Sequence, residues 1–236
     1  MDVVILCGGL GTRLRSVSAG RQKTMVKIGD KPFLEIVMDW AAGHGLRRFV
    51  LCAGYQGHQV RDYFQRHARG LDISFSQEEE PLGTAGALKR CSGLLKGGPI
   101  LLLNGDSYCP VDLKSMFEFH QLRNAVVTVA AVPAGSRVDG GFMDINHDQR
   151  IVSFNEKEPR PDRALNAGVY ILERNILDAI PSGKAVSLEK EIMPVLLPQG
   201  SYAYRCPGPL YDIGTPDRLE AFCRQHARQF NEVTAS

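Results

Sequence analysis

The feature that most constrains this chain lies at its start, where a short apolar run ends on a glycine-rich turn. Val3-Val4-Ile5-Leu6 is apolar and rich in β-branched residues, the pattern of a strand buried on both faces of a parallel sheet. Gly8, Gly9 and Gly11 follow directly, and without Cβ atoms in the way successive N–H groups can converge on an anion. Thr12 and Arg13 add a hydroxyl and a guanidinium fork, which suits a triphosphate. Neither the G-x-G-x-x-G of a dinucleotide fold nor the G-x-x-x-x-G-K-[ST] of a P-loop is present. A turn of purely structural purpose remains open at this point.

The next hundred residues repeat a strand–helix rhythm, the mark of an α/β fold. A helix is expected over residues 32–44, with Phe33, Ile36, Val37 and Trp40 on one stripe and Gly45 ending it. A strand over 48–52, a helix over 56–67 and an alternating edge strand over 71–76 follow. The all-apolar run 100–103 is another buried strand, and it delivers Asn104-Gly105-Asp106 to its carboxyl end, where ligands sit in open α/β sheets. A carboxylate there, facing a triphosphate, is a hard oxygen ligand for Mg²⁺; capping of the next turn is the plainer alternative. Asp112 is expected to cap a helix over 113–122.

Beyond a strand over 125–132 the texture changes. Two short runs around Asn146-His147-Asp148 are expected to form a hairpin, so the parallel sheet should become mixed. Residues 188–197 are expected to be a helix capped by Ser187, residues 201–206 a late strand, and Thr215-Pro216 the start of a terminal helix that frays after Phe230.

Two polar stretches carry chemistry. Glu78-Glu79-Glu80-Pro81-Leu82-Gly83-Thr84 could simply supply carboxylates to a helix N-terminus. It could equally accept the N1–H and N2–H₂ donors of guanine while a glycine admits the flat base. Glu156-Lys157, just after a strand, pairs a carboxylate acceptor with an ammonium point charge, although such pairs are commonplace on surfaces.

Composition excludes more than it selects. Charges nearly balance, 28 Lys and Arg against 26 Asp and Glu, so nothing points to nucleic acid or an anionic membrane. No apolar stretch has spanning length and no signal-peptide pattern is present, so a cytoplasmic location is expected. The six cysteines lack C-x-x-C spacing and are expected to be buried free thiols, Cys7 beside the glycine turn included.

Gly8-Gly9-Leu10-Gly11-Thr12-Arg13, then Lys23, then Asp30-Lys31-Pro32-Phe33-Leu34, resembles the signature of the sugar-1-phosphate nucleotidyltransferases, the nucleotide-sugar pyrophosphorylases. The family usually has a proline on each side of that lysine, where this chain has Gln22 and Thr24. The resemblance continues in family order through residues 78–88, Asp106, Gly141, Glu156-Lys157 with Pro159, Asn166-Ala167-Gly168 and Asp212-Ile213-Gly214-Thr215-Pro216. It implies one Rossmann-like α/β domain over 1–236, a mainly parallel mixed sheet flanked by helices. The nucleotide-binding half would cover about 1–122 and the sugar-binding half about 123–236. The short stretch after Asp212 is expected to carry no C-terminal β-helix.

By the same resemblance Arg13, Lys23 and Asp106 are catalytic, and Leu6, Gly8, Gly9, Gly11, Thr12, Arg13, Glu78, Glu80, Pro81, Gly83 and Thr84 bind the nucleotide. Asn104, Gly141, Glu156, Lys157, Asn166 and Gly168 bind the sugar phosphate, and Asp106 and Asp212 hold Mg²⁺. The 78–88 string is most like the guanylyltransferases, so the expected partners are GTP and a sugar 1-phosphate, with a homodimer left open. A heptose 1-phosphate for surface polysaccharide synthesis is the expected sugar, with mannose 1-phosphate or another hexose phosphate as the alternative. A non-catalytic nucleotide-sugar sensor is the rival from another class.

Overall fold

The computed structural model describes residues 1–9, 11–14, 18, 20–135, 137–155 and 163–233. Its strands in chain order are β1 (Asp2–Leu6), β2 (Lys27–Ile28), β3 (Lys31–Pro32), β4 (Arg48–Ala53), β5 (Asp72–Gln77), β6 (Ile100–Asn104) and β7 (Ser107–Tyr108). They continue as β8 (Val127–Pro133), β9 (Phe142–Ile145), β10 (Ile151–Asn155), β11 (Ala164–Leu172), β12 (Ser201–Arg205) and β13 (Tyr211–Asp212). The α-helices are α1 (Phe33–Gly43), α2 (Gly57–Arg66), α3 (Gly83–Arg90), α4 (Leu113–Leu122), α5 (Met193–Gly200) and α6 (Pro216–Val233).

β1 lies in the middle of the sheet, parallel to β4 on one side and β6 on the other, and β5 continues the parallel run to the edge. Its side chains alternate between two cores. Val3 and Ile5 pack with Phe33, Leu34 and Met38 of α1 and Phe64 of α2 on one face, and Val4 packs with Leu88 of α3 and Leu102 on the other. All three β1 residues are 0 % exposed, which is why the run carries no polar position between them. β6 pairs on its other side with antiparallel β11, which in turn pairs with β8 and β9, and β12 joins β8 in parallel. β9 and β10 form the expected hairpin. The sheet is therefore mainly parallel where the glycine turn leaves it and mixed beyond β6, as expected.

The caps follow the sequence. Asp112 Oδ1 accepts from the N–H groups of Lys114 and Ser115 at 3.0 and 3.3 Å, satisfying two of the donors that the first turn of α4 leaves unpaired. Ser187 accepts from Lys190 N, but the helix expected over 188–197 is two pieces. Leu188–Ile192 winds as a wider turn, with Ile192 N donating to Ser187 O at 3.3 Å, before α5 begins. Pro194 has no N–H, so a regular α ladder cannot pass through it. The strand expected over 125–132 is shifted to Val127–Pro133, and the terminal helix runs past Phe230 to Val233. No helix among the described residues is long and apolar enough to cross a membrane.

Candidate active site

Two cavities open side by side at the carboxyl ends of β1 and β6. The smaller, about 320 Å³, is lined by Leu6, Cys7, Gly8 and Gly9 from the glycine turn, by Gln22, Lys23 and Thr24, and by Glu78, Pro81, Gly83, Thr84 and Ala87 from the approach to α3. Most of the residues expected to hold a nucleotide are thus brought together. Glu78 is 8 % exposed, and its Oε2 accepts from Leu82 N at 3.0 Å, so this carboxylate also closes the turn that leads into α3. Glu80 is exposed and does not line the cavity. Gly11 lies behind Lys23 instead, on a separate hollow; at φ +58° its missing Cβ would stand 3.1 Å from Lys23 Cβ. The side chain of Thr12 lies outside the described residues.

Lys23 is held from two directions. Its Nζ donates to Asp106 Oδ2 at 2.5 Å, and its backbone opens a single 3₁₀ turn, Lys23–Met25, whose cap is Gln22. The Gln22 side chain is buried, with the residue 1 % exposed, and every polar atom on it is used. Oε1 accepts from Thr24 N at 2.7 Å and Thr24 Oγ1 at 2.6 Å, Nε2 donates to the carbonyl of Cys7, and Gln22 N donates to Gln59 Oε1 at 2.8 Å. Where the family resemblance led to an expectation of prolines, this chain ties the lysine segment to the glycine turn by hydrogen bonds. Burial pushes the Cys7 thiol well above its ordinary range, and Cys7 Sγ donates to Ile5 O at 3.5 Å, which makes it a packed, resting thiol.

The larger cavity, about 610 Å³, is lined by Arg13, Asn104, Asp106, Gly141, Asn166 and Asp212 among the expected residues. Arg137, Val138, Asp139, Glu189 and Arg218 join them without having been singled out in the sequence; Gly140 joins them too, the small residue before Gly141 that the sequence suggested as room for a larger sugar. Lys23, Asn104 and Asp106 line both cavities. Gly168 lines neither: at φ +73° its absent Cβ would strike Asn104 Nδ2 at 2.9 Å, so it makes room for Asn104 instead. Gly140, at φ +126°, holds a backbone conformation that residues with a side chain rarely adopt, and a Cβ there would stand 2.7 Å from Leu165 Cδ1. Glu156, Lys157 and Pro159 lie outside the described residues.

The charges of this cavity are arranged as a closed network. Asp212 Oδ2 accepts from Arg137 Nη2 at 2.5 Å, and its Oδ1 accepts from Arg218 Nη1 at 3.1 Å and Gly214 N at 2.9 Å. Burial pushes the Asp212 carboxyl up, but Gly214 N–H and the two guanidinium groups outweigh it and hold the pKa below the ordinary 3.8. Arg218 also pairs with Asp139, chiefly through a hydrogen bond that lowers the Asp139 pKa in the same way. Arg13 stands 3.9 Å from Asp139, with its side chain 67 % exposed.

Asp106 and Asp212 are brought together by the ribbon of β7 and β13, in which Asp212 pairs with Ser107 and Ile213 N donates to Asp106 O at 3.0 Å. Among the described residues no group of three or more His, Cys, Asp or Glu could hold a metal by itself. Two carboxylates fit Mg²⁺, which takes one or two from the protein and the rest of its oxygens from phosphates and water. Each carboxylate pairs with at least one cation, Asp106 with Lys23 and Asp212 with Arg137 and Arg218.

Residues 2–229 match the family described as nucleotidyl transferase. The mannose-1-phosphate guanylyltransferase of Mycobacterium tuberculosis is 35% identical over 222 residues, covering 92% of this chain but only 62% of that protein's own length. The D-glycero-alpha-D-manno-heptose 1-phosphate guanylyltransferase of Aneurinibacillus thermoaerophilus is 34% identical over 218 residues, covering 92% of this chain and 94% of that one. The crystal structure of HddC from Yersinia pseudotuberculosis complexed with GMP-PN superimposes with a TM-score of 0.81 at 32% identity, covering 95% of this chain and 99% of that one.

Proposed function

The chain belongs to the nucleotidyl transferase family, and from that premise we propose that it transfers GMP from GTP to a heptose 1-phosphate, with release of pyrophosphate. The observation that carries this reading is the sharing of Lys23, Asn104 and Asp106 by two adjoining cavities, one floored by a glycine turn and the other rimmed by guanidinium groups. A reaction that joins two anions needs such a junction. The phosphate oxygen of the sugar 1-phosphate is already ionised at neutral pH, so it attacks the α-phosphorus of GTP without a general base. The new O–P bond forms as the bond to the β-phosphate oxygen breaks, and pyrophosphate leaves with the electron pair.

The work left to the protein is positioning and neutralisation. Lys23 leaves Asp106 for the α-phosphoryl oxygens, whose charge grows as the bonds exchange. Arg13, 67 % exposed at the mouth, meets the triphosphate, and Arg137 and Arg218 meet the sugar phosphate. Asp106 and Asp212 would hold Mg²⁺, which would supply further neutralisation of the phosphate oxygens. The cytoplasm is the proposed compartment and surface polysaccharide synthesis the proposed use of the product.

Support for a heptose comes from the match along 94% of the Aneurinibacillus relative. The 35% identity to the Mycobacterium protein favours mannose 1-phosphate as a second reading. A pocket that admits a seventh carbon rejects mannose weakly, by about 10- to 100-fold at most. A matrix of four nucleoside triphosphates against heptose, mannose and glucose 1-phosphates, assayed for pyrophosphate release with Mg²⁺, tests all of this. A best kcat/KM with GTP and heptose is expected. A clear preference for mannose overturns the sugar, one for another base overturns GTP, and binding without pyrophosphate release would make the chain a sensor.

A further inference from the structure

Glu189 is the one carboxylate of the larger cavity that, among the described residues, pairs with no Lys or Arg. It is half-buried on the wide turn Leu188–Ile192, the place where the expected helix is interrupted. Its partners are all neutral hydroxyls. Oε1 accepts from Tyr170 Oη at 3.0 Å, and Oε2 accepts from Thr84 Oγ1 at 2.8 Å and Ser187 Oγ at 3.2 Å. Each of the three is itself fixed or built in. Tyr170 is 0 % exposed and receives Asn166 Nδ2 at 2.6 Å, while Thr84 Oγ1 accepts from Leu188 N at 2.7 Å.

A carboxylate has roughly four acceptor positions, and three are taken here by donors that aim it. The remaining one faces a cavity whose other acids are occupied by guanidinium or ammonium groups. A phosphate would be repelled by Glu189; a neutral hydroxyl would complete it. Asn166, which donates to the same Tyr170, lines the cavity beside it, so acceptor and amide stand together as a pair suited to vicinal hydroxyls.

We propose that Glu189 is a sugar-recognition residue, accepting a hydrogen bond from a ring hydroxyl of the sugar 1-phosphate, with Tyr170 and Thr84 as positioning residues that fix its carboxylate. The assignment rests on the reading of the larger cavity as the sugar site. Because Thr84 also lines the smaller cavity, the same carboxylate joins the two substrate sites through one side chain.

Calorimetric binding of mannose 1-phosphate and its 2-, 3-, 4- and 6-deoxy analogues, together with steady-state kinetics in which each substrate is varied while the other is saturating, tests this. In Glu189→Gln, KM for the sugar 1-phosphate should rise about 10- to 100-fold while KM for GTP changes about 2-fold or less. One deoxy analogue should bind the wild-type protein much more weakly than its parent, and Glu189→Gln should no longer distinguish the two. Equal rises in both KM values, or the same analogue penalties in both proteins, would overturn the assignment. If Glu189→Gln does not fold, Tyr170→Phe gives the second reading: an unchanged sugar affinity overturns the proposal. A wild-type protein that binds mannose 1-phosphate with these differences yet releases no pyrophosphate would refute the transferase reading and leave Glu189 in place. One that binds no sugar 1-phosphate removes both.

Discussion

The two cavities are built by different means. The smaller one is floored by backbone at strand ends, and the segment that carries Lys23 is steadied by neutral hydrogen bonds at Gln22 and Gln59, while the ammonium itself pairs with Asp106 at the junction. The larger one gathers residues from at least five separate segments and holds them by ion pairs among Arg13, Arg137, Asp139, Asp212 and Arg218. A neutral hydrogen-bonded frame holds one geometry at any salt concentration. An ionic network is weakened by salt and can exchange partners with any charged group that enters it, since a guanidinium pairs as readily with a phosphate as with a carboxylate. The first cavity is a mould and the second a set of clasps.

That contrast can be broken by mutation at the junction and on either side of it. The largest effect is expected at Asp106→Asn, which removes a carboxylate from the place the cavities share; kcat should fall by about 100- to 1,000-fold, and a near-normal rate at saturating Mg²⁺ would take Asp106 out of the mechanism. Next comes Lys23→Ala, with kcat down by about 100-fold and KM for GTP little changed, because the charge it meets grows in the transition state. A change confined to KM would assign the lysine to ground-state binding only.

On the rigid side, Gln22→Ala leaves Thr24 N and the Cys7 carbonyl without their buried partner. It should cost about 1–3 kcal/mol of stability and lower kcat by about 10-fold, read from thermal unfolding and from turnover at saturating substrates. A loss of stability with full kcat would mean that the lysine is positioned by Asp106 alone. On the ionic side, Arg218→Ala should lower activity only about 3- to 10-fold, because Arg137 still pairs with Asp212. Its clearer signature is in acid. Asp139 and Asp212 both have pKa values lowered in the folded protein, so their stabilising contribution is complete above 3.8 and is lost as pH falls through the folded values. Removing Arg218 should flatten the decline of unfolding temperature below about pH 4. An unchanged acid limb would show that the network adds nothing to stability.

Sequence alone located the smaller cavity far better than the larger. Gly8, Gly9 and Gly83 announce a backbone surface because they leave it bare of side chains, and the strands that lead to the site are legible from Val3 to Leu6 and from Ile100 to Leu103. Gln22 is the exception, since nothing in its surroundings marks a buried amide; only the loss of proline at that place hinted that something else must stiffen the segment. Arg137, Asp139 and Arg218 carried no local signal at all. Isolated charges in loops and on a helix look like ordinary surface until the fold collects them. Glu189 hid inside a plausible helix, and its neighbour Pro194, which forbids regular winding, was the clue available.

One contact has consequences for anyone who would exchange residues 78–88 for those of a relative. Gly83 and Gly86 press on the backbone of residues 184–186, where a Cβ would come within 2.5 and 2.6 Å of the carbonyls of Val186 and Lys184. Ala85 N and Gly86 N both donate to Val186 O, and Val186 N donates to Leu82 O. The segment before α3 and the segment before Glu189 are therefore one interlocked piece, although a hundred residues of chain separate them. A transplant of residues 78–88 from a relative would arrive with a surface cut for a different counterpart. Chimeras should exchange residues 182–189 in the same step, and libraries that vary the first segment alone will be screening mismatched halves.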